Sequence, residues 1–221
     1  MKAKKGKGSL SRRRFLERCA ASAGSTSIIA LLLAAGAREA KSTPAWAIRP
    51  PGAIDEQEFT SACVRCGLCV RACPYHILRL SELDQDVALG TPYFIARQAP
   101  CEMCKDIPCA KSCPTDALSK SLTDIRDADM GLAVFTGADT CYSVTGAAAC
   151  RACYLACPVK DRAITMELHQ NSDLMYFQPT VHAEHCTGCG RCEKHCATEE
   201  ASIKVLPRAL AKRDRAWPEG A

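Results

Sequence analysis

The sequence predicts an α+β chain assembled from one small unit that is used several times. Seventeen of its 221 residues are cysteines, far more than an average globular protein contains. Sixteen of them fall into four groups of four, separated by segments of similar length, which indicates an internal repeat. Aromatic residues make up only 5% of the chain, so we expect bound metal to supplement a modest core.

Residues 1–47 are predicted to be an export signal that precedes the folded part. A basic start leads into Ser11-Arg12-Arg13-Arg14-Phe15-Leu16 and then into the uncharged stretch 19–37. This order resembles a twin-arginine signal, and Ala45-Trp46-Ala47 offers a small-x-small cleavage site. We expect the mature chain to start near Ile48, and retention of the uncharged stretch as a membrane anchor is the alternative.

The positive net charge of the chain does not indicate nucleic-acid binding. Residues 1–47 hold ten of the 29 basic and two of the 24 acidic residues, which leaves 19 basic and 22 acidic residues and a net charge of −3 beyond. Phosphate binding needs positive charge on the folded domain itself, so no nucleic-acid partner is expected. Residues 208–221 form a basic C-terminal tail with Arg208, Lys212, Arg213 and Arg215, interpreted as solvated surface, with a docking patch as the alternative.

Residues 48–62 are predicted to be a linker, and 63–207 to be the cysteine-rich domain. The segment Arg49-Pro50-Pro51-Gly52 opposes helix formation and favours an extended chain. After each cysteine group we predict a short helix with proline in its first turn and then a short strand, such as the one at 203–206.

The spacing of the cysteines is typical of bacterial ferredoxins. The first group is Cys63-x2-Cys66-x2-Cys69-x3-Cys73-Pro74, and the fourth is Cys186-x2-Cys189-x2-Cys192-x3-Cys196, with Ala197 where proline is expected. The second, Cys101-x2-Cys104-x4-Cys109-x3-Cys113, and the third, Cys141-x8-Cys150-x2-Cys153-x3-Cys157, each have one widened gap. Cysteines with two residues between them let one tight loop hold three corners of an iron–sulfur cube. Gly67, Gly188 and Gly190 let the backbone approach the cube. We predict four [4Fe–4S] clusters with these sixteen cysteines as iron ligands.

Two other uses of the cysteines are less consistent with this spacing. A disulfide scaffold would leave the repeated steps and the prolines unexplained, and cysteines so close in sequence are poor mutual partners. Structural zinc favours two separated ligand pairs per site rather than tight groups of four. Cys19 lies in the leader and has no predicted role.

The pairing of the four groups stays open at this stage. In ferredoxin runs the fourth cysteine ligates the other cluster of a pair, and the nearly equal connectors allow either sequential or nested pairs. Because the two regular groups match each other, we expect nesting, with Cys73 and Cys196 exchanged in one pair and Cys113 and Cys157 in the other.

No catalytic residues are predicted. The chain contains no phosphate loop, dinucleotide fingerprint or Ser/His/Asp set. His185 and His195 neighbour predicted ligands, but we interpret both as ordinary surface residues because neither has a defined partner.

At the family level the chain resembles the NapG and MauM ferredoxin-type proteins of periplasmic nitrate reduction and methylamine utilisation. The resemblance runs through the leader and through Arg49-Pro50-Pro51-Gly52-Ala53, Cys66-Gly67-Leu68-Cys69, Pro100-Cys101-Glu102-Met103-Cys104, His185-Cys186-Thr187-Gly188-Cys189-Gly190 and the segment 203–208. It implies a periplasmic, membrane-associated electron-transfer subunit of a quinol dehydrogenase complex, with no substrate site of its own. Its implied partners are a NapH-like membrane iron–sulfur protein that oxidises quinol and a downstream periplasmic redox protein on the way to nitrate reductase. Methylamine oxidation, or service to another exported oxidoreductase, is the alternative.

Overall fold

The computed structural model describes residues 44–83, 85–170 and 175–213. The predicted twin-arginine motif, the uncharged stretch and Cys19 therefore lie outside the described residues, as does the end of the basic tail. Within the described ranges, no helix combines the length and the apolar character that a membrane crossing requires.

Short helices and strands alternate along the described chain. The helices are α1 (Glu56–Ala62), α2 (Leu68–Ala72), α3 (Pro108–Lys111), α4 (Ala152–Ala156), α5 (Arg191–Lys194) and α6 (Arg208–Arg213). The strands are β1 (Arg79–Leu80), β2 (Pro92–Tyr93), β3 (Gly131–Phe135), β4 (Ile164–Gln170), β5 (Met175–Val181) and β6 (Ile203–Pro207), and a 3-10 turn covers Ile125–Asp127. Three antiparallel pairs result: β1 with β2, β3 with β6, and β4 with β5.

Two modules of the same plan follow each other, and the ends of each module meet. In the second module, β3 pairs with β6 from Gly131↔Pro207 to Phe135↔Ile203. In the first module the equivalent closure is a bridge between Ala53 and Leu118. The amide N–H of Ser119 also donates to the Gly52 carbonyl at 2.7 Å. Helix α2 packs on α3 in the first module, and α4 packs on α5 in the second.

Residues 48–62 are part of the first module and not a linker, so this prediction was wrong. Ile48 is fully buried and exchanges two 2.9 Å backbone hydrogen bonds with Phe94. Phe59 on α1 is also fully buried. Proline and glycine do favour an extended chain here, but that chain supplies the first edge of the module, as β3 does in the second.

The folded unit also starts before the predicted mature terminus. Ala47 is fully buried, and the ring of Trp46 lies edge-on to Tyr93 with 5.4 Å between centroids. The peptide bond predicted to be cleaved, between Ala47 and Ile48, thus joins two buried residues.

Helices α2 to α5 each lie inside a cysteine group and not after it, which corrects a second prediction. Helix α2 ends at Ala72, immediately before Cys73, and Pro74 follows in a turn. Proline occurs here because it cannot continue a helix, so it marks the end and not the first turn. The predicted strand at 203–206 is confirmed and extends to Pro207.

The predicted basic tail begins as a packed helix. Helix α6 contacts β3 and β6, and Ala211 is only 3% exposed. Arg208 forms an ion pair with Asp129, so at least this arginine is engaged with the second module.

Candidate iron–sulfur sites

The fold gathers sixteen cysteines into four quartets, each of which lines one cavity. Quartet 1 is Cys63, Cys66, Cys69 and Cys113; quartet 2 is Cys73, Cys101, Cys104 and Cys109; quartet 3 is Cys157, Cys186, Cys189 and Cys192; quartet 4 is Cys141, Cys150, Cys153 and Cys196. The cavities have volumes of about 340, 370, 400 and 380 Å³ in that order, including the part open to solvent. Each quartet supplies the four thiolates that a [4Fe–4S] cluster takes.

The quartets show sequential pairing, so the nested arrangement was wrong. Cys113 joins the first group and Cys73 joins the second, while Cys196 joins the third and Cys157 joins the fourth. The physical reason is that each module closes its own ends before the next begins, which brings neighbouring cysteine groups together. Similarity of spacing between the first and fourth groups carries no information about which groups meet.

The quartets suit a multinuclear cluster better than a disulfide or a single ion. All sixteen described cysteines are free thiols. Among the described residues, no three His, Cys, Asp or Glu side chains converge closely enough to share one metal ion. Four sulfurs spread around a cavity, and not around a point, fit a cube whose own iron and sulfide atoms fill the middle.

Comparisons with known proteins agree with this chemistry. The model of the 4Fe-4S dicluster domain matches twice, at residues 62–117, which hold the first two cysteine groups, and at 148–199, which hold the last two except Cys141. The methylamine utilization ferredoxin-type protein MauM of Methylorubrum extorquens is 50% identical over 90% of both chains. The ferredoxin-type protein NapG of Escherichia coli K12 is 49% identical over 91% of this chain and 87% of its own. The MauM of Paracoccus denitrificans is 46% identical over 93% and 91%. No solved structure matches.

The chain belongs to the NapG and MauM family of ferredoxin-type proteins. The resemblance drawn from the motifs is thereby confirmed, and the protein is a ferredoxin-type iron–sulfur electron carrier. The two names are supported almost equally, so the pathway it serves is not decided by similarity.

In this family member, left-handed backbone lets the loops turn around the cavities. Gly67, Gly188 and Gly190 have φ of +71°, +70° and +87°. At Gly188 the approach is tightest, because an added Cβ would lie 2.3 Å from the backbone nitrogen of Gly131. The second motif has no glycine in these positions; it turns through Met103 in its first gap and Ile107 in its widened gap, at φ of +57° and +45°.

Burial raises the pKa of several ligand thiols. Removal from water, with a smaller contribution from neighbouring cysteines, raises the pKa of Cys101, Cys109 and Cys153 to about 12. Cluster assembly must therefore displace protons from these thiols, and the metal supplies the charge that stabilises the thiolates. Cys196 differs: burial raises its pKa, but hydrogen bonds from Thr198 and Ser202 outweigh this and lower it overall.

The two modules meet at quartets 2 and 3. The amide N–H of Cys101 donates to the Cys189 carbonyl at 2.8 Å, so a ligand of one quartet is bonded directly to a ligand of the next. Glu102 forms an ion pair with Arg191 beside this bond. Since quartets 1 and 2 share one module and 3 and 4 the other, the four quartets form an uninterrupted order from 1 to 4.

Exposure differs between the inner and outer quartets. In quartet 2, Cys73, Cys101 and Cys109 are buried. Quartet 1 contains Cys66, the only exposed ligand among the sixteen described cysteines, and quartet 4 has no buried one. Quartet 2 is therefore the most shielded of the four, and quartet 3 has one buried ligand, Cys189, as quartet 1 has in Cys69.

The two histidines singled out in the sequence lie beside ligands and contact only neighbouring protein groups. His195 is exposed, and its Nδ1 lies 2.9 Å from the Arg191 carbonyl. His185 Nδ1 lies 3.5 Å from the guanidinium of Arg162. Neither contact joins the imidazole to a cysteine sulfur.

Sequence reasoning missed residues that support the quartets without ligating. Arg97 donates hydrogen bonds to the carbonyls of five residues in the fourth motif and the turn after it. Thr198 places its hydroxyl 3.1 Å from the Cys196 sulfur. Only the position of Thr198, two residues after the last cysteine as Thr115 is in the second motif, could have signalled a role.

Proposed function

We propose that this protein is an exported subunit with four [4Fe–4S] clusters that carries electrons from a membrane quinol-oxidising partner toward a periplasmic nitrate reductase. The observation that carries the proposal is the unbroken order of quartets. An electron that enters at one end can pass through quartets 2 and 3, which meet where the two modules are hydrogen-bonded, and leave at the other end.

Two features of the quartets support a relay: neighbouring quartets are connected, and the quartet at each end is comparatively open. Neighbouring quartets either share a module or are joined by the backbone bond between Cys101 and Cys189. A carrier that served one partner would need one accessible cluster, whereas this chain has a comparatively open quartet at each end. Two open ends suit two partners, and weak redox interfaces need only small surfaces.

Electron transfer in methylamine oxidation is the second candidate. It is favoured by the MauM relatives, of which the Methylorubrum extorquens protein is 50% identical to this chain. Both candidates use the same relay and differ only in the partners that dock at its ends.

A deletion strain tests the nitrate role. Removing the protein should slow quinol-driven nitrate reduction in intact cells and leave dye-driven reductase activity unchanged. Loss of the dye-driven activity as well would point to maturation of the reductase. A defect confined to growth on methylamine would replace the first candidate with the second.

Metal content and export are tested separately. Anaerobically purified protein should contain about sixteen iron atoms per chain, which is four per cluster for four quartets.

Replacing Arg12 and Arg13 with lysine should strand the protein in the cytoplasm, and an unchanged periplasmic yield would refute the twin-arginine assignment.

A further inference from the structure

The surroundings of the Cys196 sulfur differ from those of the other ligands. Its Sγ lies 3.1 Å from the Thr198 hydroxyl and 3.4 Å from the amide nitrogen of Ser202. The equivalent ligand of quartet 1, Cys113, has Thr115 in the same motif position, but the sulfur-to-hydroxyl distance there is 3.6 Å. The two ends of the relay are thus built alike and hydrogen-bonded unequally.

The Thr198 hydroxyl has a choice of acceptor that depends on the charge of the sulfur. Its single proton can go to the Glu200 carbonyl, 2.5 Å away, or to the Cys196 sulfur. Ser202, which is 2% exposed, lies 3.3 Å from Thr198 through its own hydroxyl and can donate to it. An added electron makes the ligand sulfur a stronger acceptor, so the proton shifts toward it and the reduced cluster is stabilised more than the oxidised one.

Arg97 adds a positive charge to the same loop from the other module. Its guanidinium donates to the carbonyls of Cys196 at 3.1 Å and Thr198 at 2.7 Å. The nearby carboxylate of Glu193 accepts the Val205 amide at 2.7 Å, so it offsets the arginine charge in part while remaining bonded elsewhere. A cation held at the ligand loop also favours the more negative, reduced cluster.

We propose that Thr198 and Arg97 make the cluster of quartet 4 the most oxidising of the four, which sets the exit of the relay at that end. One electron then leaves the cluster of quartet 1, which is oxidised, and arrives at that of quartet 4, which is reduced. This inference rests on the proposed relay function and adds its direction. Thr198 and Arg97 act as positioning residues, because neither ligates iron.

The test is an EPR-monitored redox titration of the full, anaerobically purified, cluster-loaded protein. Thr198→Val keeps the shape and removes the hydroxyl. It should lower the reduction equilibrium constant of one cluster by roughly tenfold, about 59 mV for one electron, because the lost hydrogen bond stabilises the reduced cluster more than the oxidised one. The step that moves should be the most positive one in the wild type. Thr198→Ser should restore it.

Thr115→Val is the matched control at the other end of the relay. It should move a different and more negative step, and by less. The proposal is overturned if Thr198→Val moves no step, if it moves a step that is not the most positive, or if Thr115→Val has an equal effect. If Thr198→Val fails to load a fourth cluster, Arg97→Gln is judged by the same criterion. A wild-type protein without iron would instead overturn the relay function itself.

Discussion

Replacing Arg49 with methionine should destabilise the first module strongly, although this residue lies in a segment that its sequence marks as a linker. The guanidinium donates to the Glu56 carboxylate at 2.9 Å and to the hydroxyl of Thr91 and the carbonyl of Pro92, both at 2.9 Å. It also lies 4.8 Å from the ring centre of Phe59. Arg49 therefore ties the first edge of the module to α1 and β2 at once.

The size of the effect follows from the burial of both charges. The side chain of Arg49 is 8% exposed and that of Glu56 is 23% exposed. Removing one partner of a buried pair costs about 3–5 kcal/mol because the other charge is left uncompensated. Since Glu56 keeps some access to water, the lower end applies, about 3 kcal/mol. For a folded unit of this size, that corresponds to a drop of roughly 6–12 °C in Tm.

The assay is thermal loss of the visible iron–sulfur absorbance under anaerobic conditions. Because unfolding of a cluster-bound protein is not a simple two-state process, the shift is compared with that of a matched variant. Arg126→Met removes an arginine of the same kind from an exposed pair with Asp124, where the arginine side chain is 67% exposed, and should leave Tm unchanged. Equal shifts for the two variants would show that the contacts of Arg49 do not stabilise the module as argued.

Three further changes test the pairing, the close approach and the dependence on metal. Cys196→Ala should remove or convert the cluster held by Cys141, Cys150 and Cys153, which iron content and EPR would report; damage to the cluster of quartet 1 instead would restore nested pairing. Gly188→Ala should cost quartet 3 its cluster and lower Tm, since φ is +70° and the new Cβ would meet Gly131 at 2.3 Å, whereas Gly67→Ala, whose nearest contact is 3.5 Å, should show only the backbone strain of about 1–2 kcal/mol. Stripping iron with a chelator should abolish the cooperative unfolding transition, because binding energy at these ligand-rich sites is folding energy; a transition that survives iron loss would show a self-sufficient core.

The ligands could be predicted from sequence because their chemistry is local. One loop contains three cysteines with two residues between neighbours, and it also contains a glycine at positive φ. The loop around Cys66 and Gly67 turns around one cavity, as this spacing indicates. The pairing of the cysteine groups depends instead on which segment the chain around Ala53 bridges to. Its partner is Leu118, 65 residues away, so the spacing of the cysteines alone does not indicate the pairing.

The supporting residues were invisible for a different reason. Arg97 binds backbone carbonyl groups 96–102 residues further along the chain. Every residue has such a carbonyl, so the sequence does not indicate which ones are bound. The sequence predicts an extended linker around Arg49 because its neighbours Pro50, Pro51 and Gly52 oppose helix formation. Arg97 binds only backbone groups, and Arg49 binds Thr91 and Pro92, 42 and 43 residues further along, as well as the nearer Glu56, so side-chain motifs do not report most of these contacts.

Sequential pairing determines which two quartets lie where the modules meet. It places quartets 2 and 3 in the middle, where Cys101 and Cys189 are 6% and 8% exposed and directly bonded through their backbones. In the proposed relay, every electron that crosses the chain passes this junction, while each outer quartet faces a partner. Burial there would shield the clusters from oxidants, and the Glu102–Arg191 ion pair links the two modules beside the junction. The junction joins Cys101 of the second cysteine group to Cys189 of the fourth, so the order of the quartets along the proposed path differs from the order of the cysteine groups along the sequence.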